Sequence, residues 1–317
     1  MKPNLIDRLR CSPILGQPSP TELATWSGEA PPQRAAQGDS SDAVRVRPRR
    51  ASLSLVLRQA DGEVQMLVIK RAVSLRDKWS GHIALPGGRQ EAEETELEAA
   101  VRECEEEVGI SLTSSRFELL GRLKDSRTST SKDALTVSCF VFVQTDDADL
   151  PLTIQASEVA FAWWIDTALF YPSPAPREVG FAVTSMVKAA QKPHWKALMW
   201  LFGAETIFFP CFFLPPPPLS GHAPVPGSAA APTSVKYPLD ATTFVMWGLT
   251  FGMISQLAVA GGGRAFAYQG PPYFRFRSFG ADFLVHSFYK LRRWSDGLRG
   301  MLASCSSAMR LGHDGRP

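Results

Sequence analysis

Glu103, Glu106 and Glu107 place three carboxylates close together in the stretch Gly88 to Ile110, which reads GRQEAEETELEAAVRECEEEVGI. Leu97, Val101, Cys104 and Val108 recur at intervals of four, three and four, which predicts an amphipathic helix from about Glu94 to Val108. At 3.6 residues per turn the three carboxylates share an arc of roughly 100° opposite that apolar stripe. Like charges three and four residues apart destabilise a helix by roughly 0.2–0.5 kcal/mol per pair. They also lie near the helix C-terminus, whose dipole prefers cations. Folding alone does not favour the arrangement, but a hard divalent cation does, since Mg²⁺ takes oxygen ligands from a few carboxylates together with substrate phosphates. The triplet reads as a metal platform for phosphate chemistry. A solvated acidic face is the blander reading, and Glu96, Glu98 and Glu105 show that the helix is acidic elsewhere too.

The elements that must position these groups are legible on both sides. Gly109 stands where a left-handed C-cap is wanted, and Pro86-Gly87-Gly88 marks a tight loop before the helix. Upstream, SLSLVLR and Val64 to Ile69 read as two strands joined by a hairpin turn at Asp61-Gly62. Downstream, Phe117 to Leu123, Leu135 to Thr145 and Ala160 to Ile165 read as further strands, with a short helix over Asp166 to Phe170. Between strand and loop lie Lys70, Arg71, Arg76 and Lys78, cations that could hold a polyphosphate while the helix holds metal; a solvated loop is the alternative. Ser126, Thr128, Ser129 and Thr130 read as surface turn rather than ligand contacts. Glu158 is a candidate fourth acidic group, set against an ordinary exposed strand-end glutamate.

The full spacing resembles, without a gap, the signature of the Nudix hydrolases: Gly88, Glu94, Arg102, Glu103, Glu106, Glu107 and Gly109, with Cys104 and Ile110 at the apolar positions. The segment before it resembles the motif of the coenzyme A diphosphatase branch at Arg71, Ala72, Arg76, Gly81 and Pro86-Gly87-Gly88. It departs at Ile69 for threonine, at Leu85 for phenylalanine and by one additional residue between Arg76 and Gly81. Met246 to Thr250 resembles that branch's closing Trp-Gly-x-Thr helix.

The resemblance covers about residues 49 to 258 and implies a three-layer α/β/α sandwich around a mixed β-sheet. It implies Mg²⁺ or Mn²⁺ held by Glu103, Glu106 and Glu107, catalytic roles for Glu106, Glu103 and Arg102, and substrate binding by Arg71, Arg76, Gly87 and Gly88. Arg102 would pair with Glu94 to fix the loop. The implied reaction is hydrolysis of a diphosphate bond in a nucleoside diphosphate derivative. The substrate it suggests is coenzyme A or acyl-coenzyme A, cut to phosphopantetheine and adenosine 3′,5′-bisphosphate. The alternatives are another nucleotide, such as ADP-ribose, a dinucleotide or an oxidised triphosphate, and a non-catalytic nucleotide-binding module.

Composition bounds the rest. A net charge of +3 predicts no nucleic-acid partner, and 44% hydrophobic with 21% charged residues is ordinary for a soluble globular protein. Cys11, Cys104, Cys139, Cys211 and Cys305 are odd in number and scattered, so neither a disulfide framework nor a zinc site is expected. A reducing, intracellular compartment follows, with cytoplasm, mitochondrion and peroxisome undistinguished; a homodimer is compatible. Residues 1–48 read as disordered apart from a short helix over Leu5 to Arg10, and 215–235 as a Pro-rich insertion. Phe208 to Leu214 reads as a buried strand lining the substrate pocket. The uncharged run Ala241 to Gly263 raises a membrane question, but its Thr, Ser, Gln and Gly content favours a helix packed on the sheet. Residues 259–317 read as a basic aromatic tail, partly ordered rather than an interfacial membrane helix.

Overall fold

In a computed structural model the described residues are 4–27, 49–74, 79–112, 115–127, 135–172, 176–186, 191–202, 205–217, 234–235, 239, 242–266 and 273–274. The chain divides into a larger unit, residues 1–180 with 209–271, and a smaller one, 181–208 with 272–317.

The larger unit opens with two helices, α1 (Leu5–Arg10) and α2 (Pro20–Ser27). It continues with β1 (Arg50–Ala60), β2 (Glu63–Arg71), β3 (Ile83–Ala84), β4 (Gly87–Arg89) and α3 (Glu96–Val108). Then come β5 (Phe117–Arg122), β6 (Ser126–Arg127), β7 (Thr136–Gln144), β8 (Val159–Asp166) and a 3-10 turn over Thr167–Leu169. The chain leaves this unit within β9 (Arg177–Ala182). It forms α4 (Val183–Met186) and α5 (Pro193–Phe202) in the smaller unit, and returns within β10 (Thr206–Phe213). After β11 (Ser234–Val235), β12 (Val245–Trp247) and α6 (Gly248–Ala260) complete the larger unit, and β13 (Tyr273–Phe274) belongs to the smaller.

The main sheet runs β3-β2-β1-β7-β5, with β4 added to β1, β6 to β7 and β8 to β2. It is mixed, because β1 and β7 are parallel while the other pairs are antiparallel. Alternation along the strands explains the layers. Leu55, Leu57, Met66, Val68, Val141 and Val143 face one core with α1 and α6; Val56, Leu67, Ile69, Phe140 and Phe142 face the other with α3. This is the α/β/α sandwich expected. The Asp61-Gly62 turn has positive φ at both residues, as a two-residue hairpin of this kind requires.

α3 starts at Glu96 rather than Glu94 because Thr95 is its N-cap. The Thr95 hydroxyl accepts from the Glu98 amide, and the Glu98 carboxylate accepts from the Thr95 amide. Gly109 is left-handed and ends the helix. Leu97, Ala100, Val101, Cys104 and Val108 form its buried face; truncating Leu97 to alanine would cost about 2–5 kcal/mol.

Several expectations need correction. The short helix expected over Leu5 to Arg10 is present as α1, with Leu5, Ile6 and Leu9 in the core shared with α6 and Arg10 donating two hydrogen bonds to Glu118, but residues 11–27, expected to be disordered, are ordered as well, with Leu15 in the same core. Trp26 of α2 donates to the Leu112 carbonyl and packs on Phe142. Their apolar residues are few and interspersed with Pro and Ser, so composition hid them. Similarly, Phe266 lies inside the core, against Phe212 and Phe251, although the tail was expected to begin at 259. No helix among the described residues is long and apolar enough to cross a membrane, and 245–260 splits into β12 and α6. Residues 28–48, most of the Pro-rich insertion and 275–317 lie outside the described residues.

Candidate active site

The segment Pro86-Gly87-Gly88 is laced onto β1: Ser54 donates to the Pro86 carbonyl at 2.8 Å, and Leu53 and Ser52 sit opposite Gly87 and Gly88. Gly87 has φ +147°, and a Cβ there would overlap the Ser52 carbonyl. A Cβ on Gly88 would occupy the position of the Glu103 carboxylate. The two glycines therefore let the loop backbone and α3 share one cleft wall.

A cleft of about 530 Å³ opens there. Its acidic part holds Glu103, Glu107 and Glu158; Arg71, Arg89, Gly87 and Gly88 also line it. The Glu107 side chain is only 2% exposed, and its Oε2 accepts from the Gly87 amide at 2.8 Å. Arg71 Nη1 lies 3.9 Å from the other oxygen. Burial pushes the Glu107 carboxyl up to about 7, outweighing the Gly87 and Arg71 contacts, and the charges of Glu103 and Glu158 add to the rise. Glu103 is raised as well, again chiefly by burial, against the pull of Arg102 and with help from Glu106 and Glu158.

Arg102 organises the rim. It grips Glu94 through Nε at 2.8 Å and Nη2 at 3.1 Å, so the expected Arg102–Glu94 pair is present. Its Nη1 donates to Glu103 at 3.1 Å and to Glu106 at 2.9 Å, and Nη2 reaches the Arg89 carbonyl. Burial alone would raise Glu94, yet the Arg102 and Glu91 contacts hold it below the usual carboxylate range.

The carboxylate triplet does not sit as one solvated face. Glu107 points back beneath the loop, Glu103 is 14% exposed, and Glu106 is 53% exposed and outside the cleft lining. The reason is that Arg102 draws Glu106 along the helix surface while the Gly87 amide draws Glu107 inward. Among the described residues, no three His, Cys, Asp or Glu side chains stand close enough to close around an ion as they are. Glu158, in sequence a candidate fourth acidic group set against an exposed strand-end glutamate, is exposed and lines the cleft. Its backbone carbonyl accepts from Ala72 and so ties the start of β8 to the end of β2. Lys70, expected to face phosphate, is fully buried and donates to the Gly81 and Thr243 carbonyls at 2.7 Å each. Arg76 and Lys78 lie outside the described residues. β10 contributes nothing to the cleft lining; its Cys211 and Phe212 are core. Ser126 meets Gln256 rather than the cleft, and Thr128 to Thr130 are outside the described residues.

Sequence reasoning gave no cleft role to Arg89, Trp79, Leu135 or Val137. Val137 faces the cleft through strand alternation, a signal present in the sequence. Trp79 carried none.

The carboxylate oxygens of the cleft are of the kind that suits hard cations, and Arg71 and Arg89 on the same lining are of the kind that suits an anion. The family model described as the NUDIX domain matches residues 48–182. An uncharacterized protein of Schizosaccharomyces pombe is 39% identical over 112 residues, 32% of this chain and 32% of its own length. Nudix hydrolase 3 of Caenorhabditis elegans is 38% identical over 73 residues, 23% of this chain and 29% of its own length. The chain thus spans about a third of the curated relatives it matches. Among solved structures, a binary complex of the C. elegans Ap4A hydrolase is similar at 14% identity and TM-score 0.32, covering 48% of this chain and 93% of that one.

Proposed function

We propose that this chain is a metal-dependent hydrolase of diphosphate bonds in nucleoside diphosphate derivatives, with coenzyme A or an acyl-coenzyme A as substrate. The observation that carries the proposal is the geometry of the cleft, where Glu103, Glu107 and Glu158 outnumber Arg71 and Arg89 beside the Gly87-Gly88 backbone, with Glu107 buried among them. A hard divalent cation would relieve that charge, and the donors fit one, being carboxylate oxygens throughout. Glu103 and Glu107, with Glu106 joined through the shared Arg102, would hold Mg²⁺ or Mn²⁺. When bound, such an ion neutralises diphosphate charge and acidifies a water.

The chain's own residues do the rest. Arg71 and Arg89 on the cleft wall attract the diphosphate, and the Gly87-Gly88 backbone gives it close approach. Arg102 holds Glu94, Glu103 and Glu106 in one frame, so that the loop and the helix keep a fixed spacing. Glu103 is engaged by Arg102, and Glu107 by Gly87 and Arg71, whereas the Glu158 carboxylate has no hydrogen bond or ion pair among the described residues. Glu158 is therefore the group assigned to accept the proton of the attacking water. The choice of coenzyme A is supported by Arg71, Ala72, Gly81 and Pro86-Gly87-Gly88 preceding α3 and by Trp247-Gly248-Leu249-Thr250 opening α6.

Purified full-length protein with Mg²⁺ is to be assayed against coenzyme A, acetyl-coenzyme A, ADP-ribose and a dinucleoside polyphosphate, with products resolved by chromatography. Preferential release of adenosine 3′,5′-bisphosphate from the coenzyme A compounds is expected. Preference for ADP-ribose would overturn the substrate, and no turnover of any of them would overturn the enzyme.

A further inference from the structure

Three serines stand on the side of the main sheet that faces α3, and their hydroxyls are treated differently. β1 alternates, so Leu53, Leu55 and Leu57 pack with α1 and α6 while Ser52, Ser54 and Val56 turn towards α3. Ser138 of β7 lies beside Ser52 in the parallel pairing and shares its face. All three serines are buried. Ser54 donates to the Ala100 carbonyl of α3 at 2.7 Å, and Ser138 donates to Glu96 at 2.9 Å. The Ser52 hydroxyl has no hydrogen-bond partner among the described residues. Burying a hydroxyl unpaired is costly, and an alanine would fill the same space without that cost.

The other neighbour of Ser52 shows what the hydroxyl could meet. Gly88 stands directly opposite it on β4. Opposed residues of an antiparallel pair point to one face, with Cβ positions about 5 Å apart. A Cβ on Gly88 would overlap both oxygens of Glu103, so this carboxylate fills the space of the missing side chain and lies beside Ser52. In the metal-free chain Glu103 is turned to Arg102, whose Nη1 donates to Oε1.

Resting on the metal-dependent reading above, we infer that Ser52 is a positioning residue for Glu103: its hydroxyl donates to the Glu103 carboxylate when that group holds a divalent cation, and so fixes which oxygen faces the ion. A carboxylate ligand needs such a partner, because its second oxygen otherwise lets the group rotate, and partners of this kind govern affinity nearly as much as the ligands do. The donor is ready in place, since Ser52 has Gly88 of β4 on one side and Ser138 of β7 on the other. Gly88 leaves the path between hydroxyl and carboxylate open. Ser52 is outside the cleft lining and touches no substrate.

The test follows Mn²⁺ binding to the full-length chain by electron paramagnetic resonance, with thermal melting in chelator as the measure of the fold. Ser52→Ala is expected to bind Mn²⁺ roughly tenfold more weakly, yet to melt in chelator no lower than the wild type, because the metal-free fold loses no bond. Ser54→Ala should do the opposite, melting lower for want of its bond to Ala100 and binding Mn²⁺ like the wild type. In a Glu103→Gln background, Ser52→Ala should cost no further affinity, since the hydroxyl acts only through that carboxylate. Unchanged Mn²⁺ affinity in Ser52→Ala overturns the inference. So does an equal loss in both backgrounds, or a melting temperature in chelator that falls as far as that of Ser54→Ala. The two readings separate in the same experiment. A wild type that binds no Mn²⁺ sinks the metal-dependent reading and this one with it; a wild type that binds Mn²⁺ and hydrolyses diphosphates, with Ser52→Ala binding equally well, sinks the role of the serine alone.

Discussion

The two ends of α3 handle negative charge in opposite ways. At its start, Glu96 is met by Arg50 through Oε1 and by Arg122 through Oε2 at 2.9 Å, and the Ser138 hydroxyl donates to it. Asp125 is taken up by the same two arginines. Charge there is balanced, and its role is to bind helix to sheet. At its end, Arg102 meets Glu103 and Arg71 approaches Glu107, Glu158 stands beside them, and burial, with a smaller share from the neighbouring carboxylates, raises both helix carboxyls. A stability device closes its ion pairs; a site leaves a surplus. The contrast is what marks the C-terminal end of α3 as the candidate site.

The largest effect expected from breaking this contrast is at the surplus end. Glu103→Gln and Glu107→Gln should each lower kcat by at least a hundredfold, and Glu106→Gln by at least tenfold, in an assay of diphosphate hydrolysis at saturating Mg²⁺. Glu96→Gln at the balanced end should leave kcat within about twofold. Next comes Gly88→Ala, whose added Cβ would displace the Glu103 carboxylate, the far end of a side chain that can swing away. Activity is expected to fall roughly ten- to a hundredfold, while the melting temperature moves by only a few degrees.

The pH dependence sharpens the same point. Glu107 titrates near 7 in the folded chain and at 4.5 when exposed, so between these values the folded state holds the additional proton. The contribution of Glu107 to the stability of the metal-free protein is therefore full below about pH 4.5 and is lost as pH rises through about 7, by up to about 3 kcal/mol. Urea unfolding in chelator should show this slope for the wild type and a flatter one for Glu107→Gln. The smallest effect is expected at the balanced end. Glu96→Gln keeps a hydrogen-bond acceptor for Ser138 but leaves Arg50 and Arg122 with less counter-charge, costing about 1–2 kcal/mol in urea unfolding.

How much of this was readable beforehand follows from the range of the interactions. α3, its glycine cap, the hairpin and the strands β1, β2, β5, β7 and β8 depend on periodicity and turn residues, which are local, and they fall where the pattern put them. The Arg102–Glu94 pair, which the family resemblance implied, joins loop and helix across eight residues. What escaped depends on distant partners. α2 docks through Trp26 onto Leu112, and Phe266 enters the core between Phe212 and Phe251. Lys70 turned inward because carbonyls at Gly81 and Thr243 converge on it, and no spacing along the chain reveals that convergence. Sequence offered Glu158 both as a fourth acidic group and as a plain strand end, and only the pairing of β8 with β2 carries it to the cleft. For the three carboxylates Glu103, Glu106 and Glu107, helix phase gave their common side but not the competition between Arg102 and Gly87 that separates Glu106 from Glu107.

The most direct test is the affinity of the full-length chain for Mn²⁺, measured by electron paramagnetic resonance at pH 7.5 in the wild type and in the Glu103→Gln/Glu107→Gln double variant. If the end of α3 is a cation site, the wild type binds Mn²⁺ and the double variant does so at least tenfold more weakly, while Glu96→Gln binds like the wild type. Equal binding in all three proteins would contradict the account.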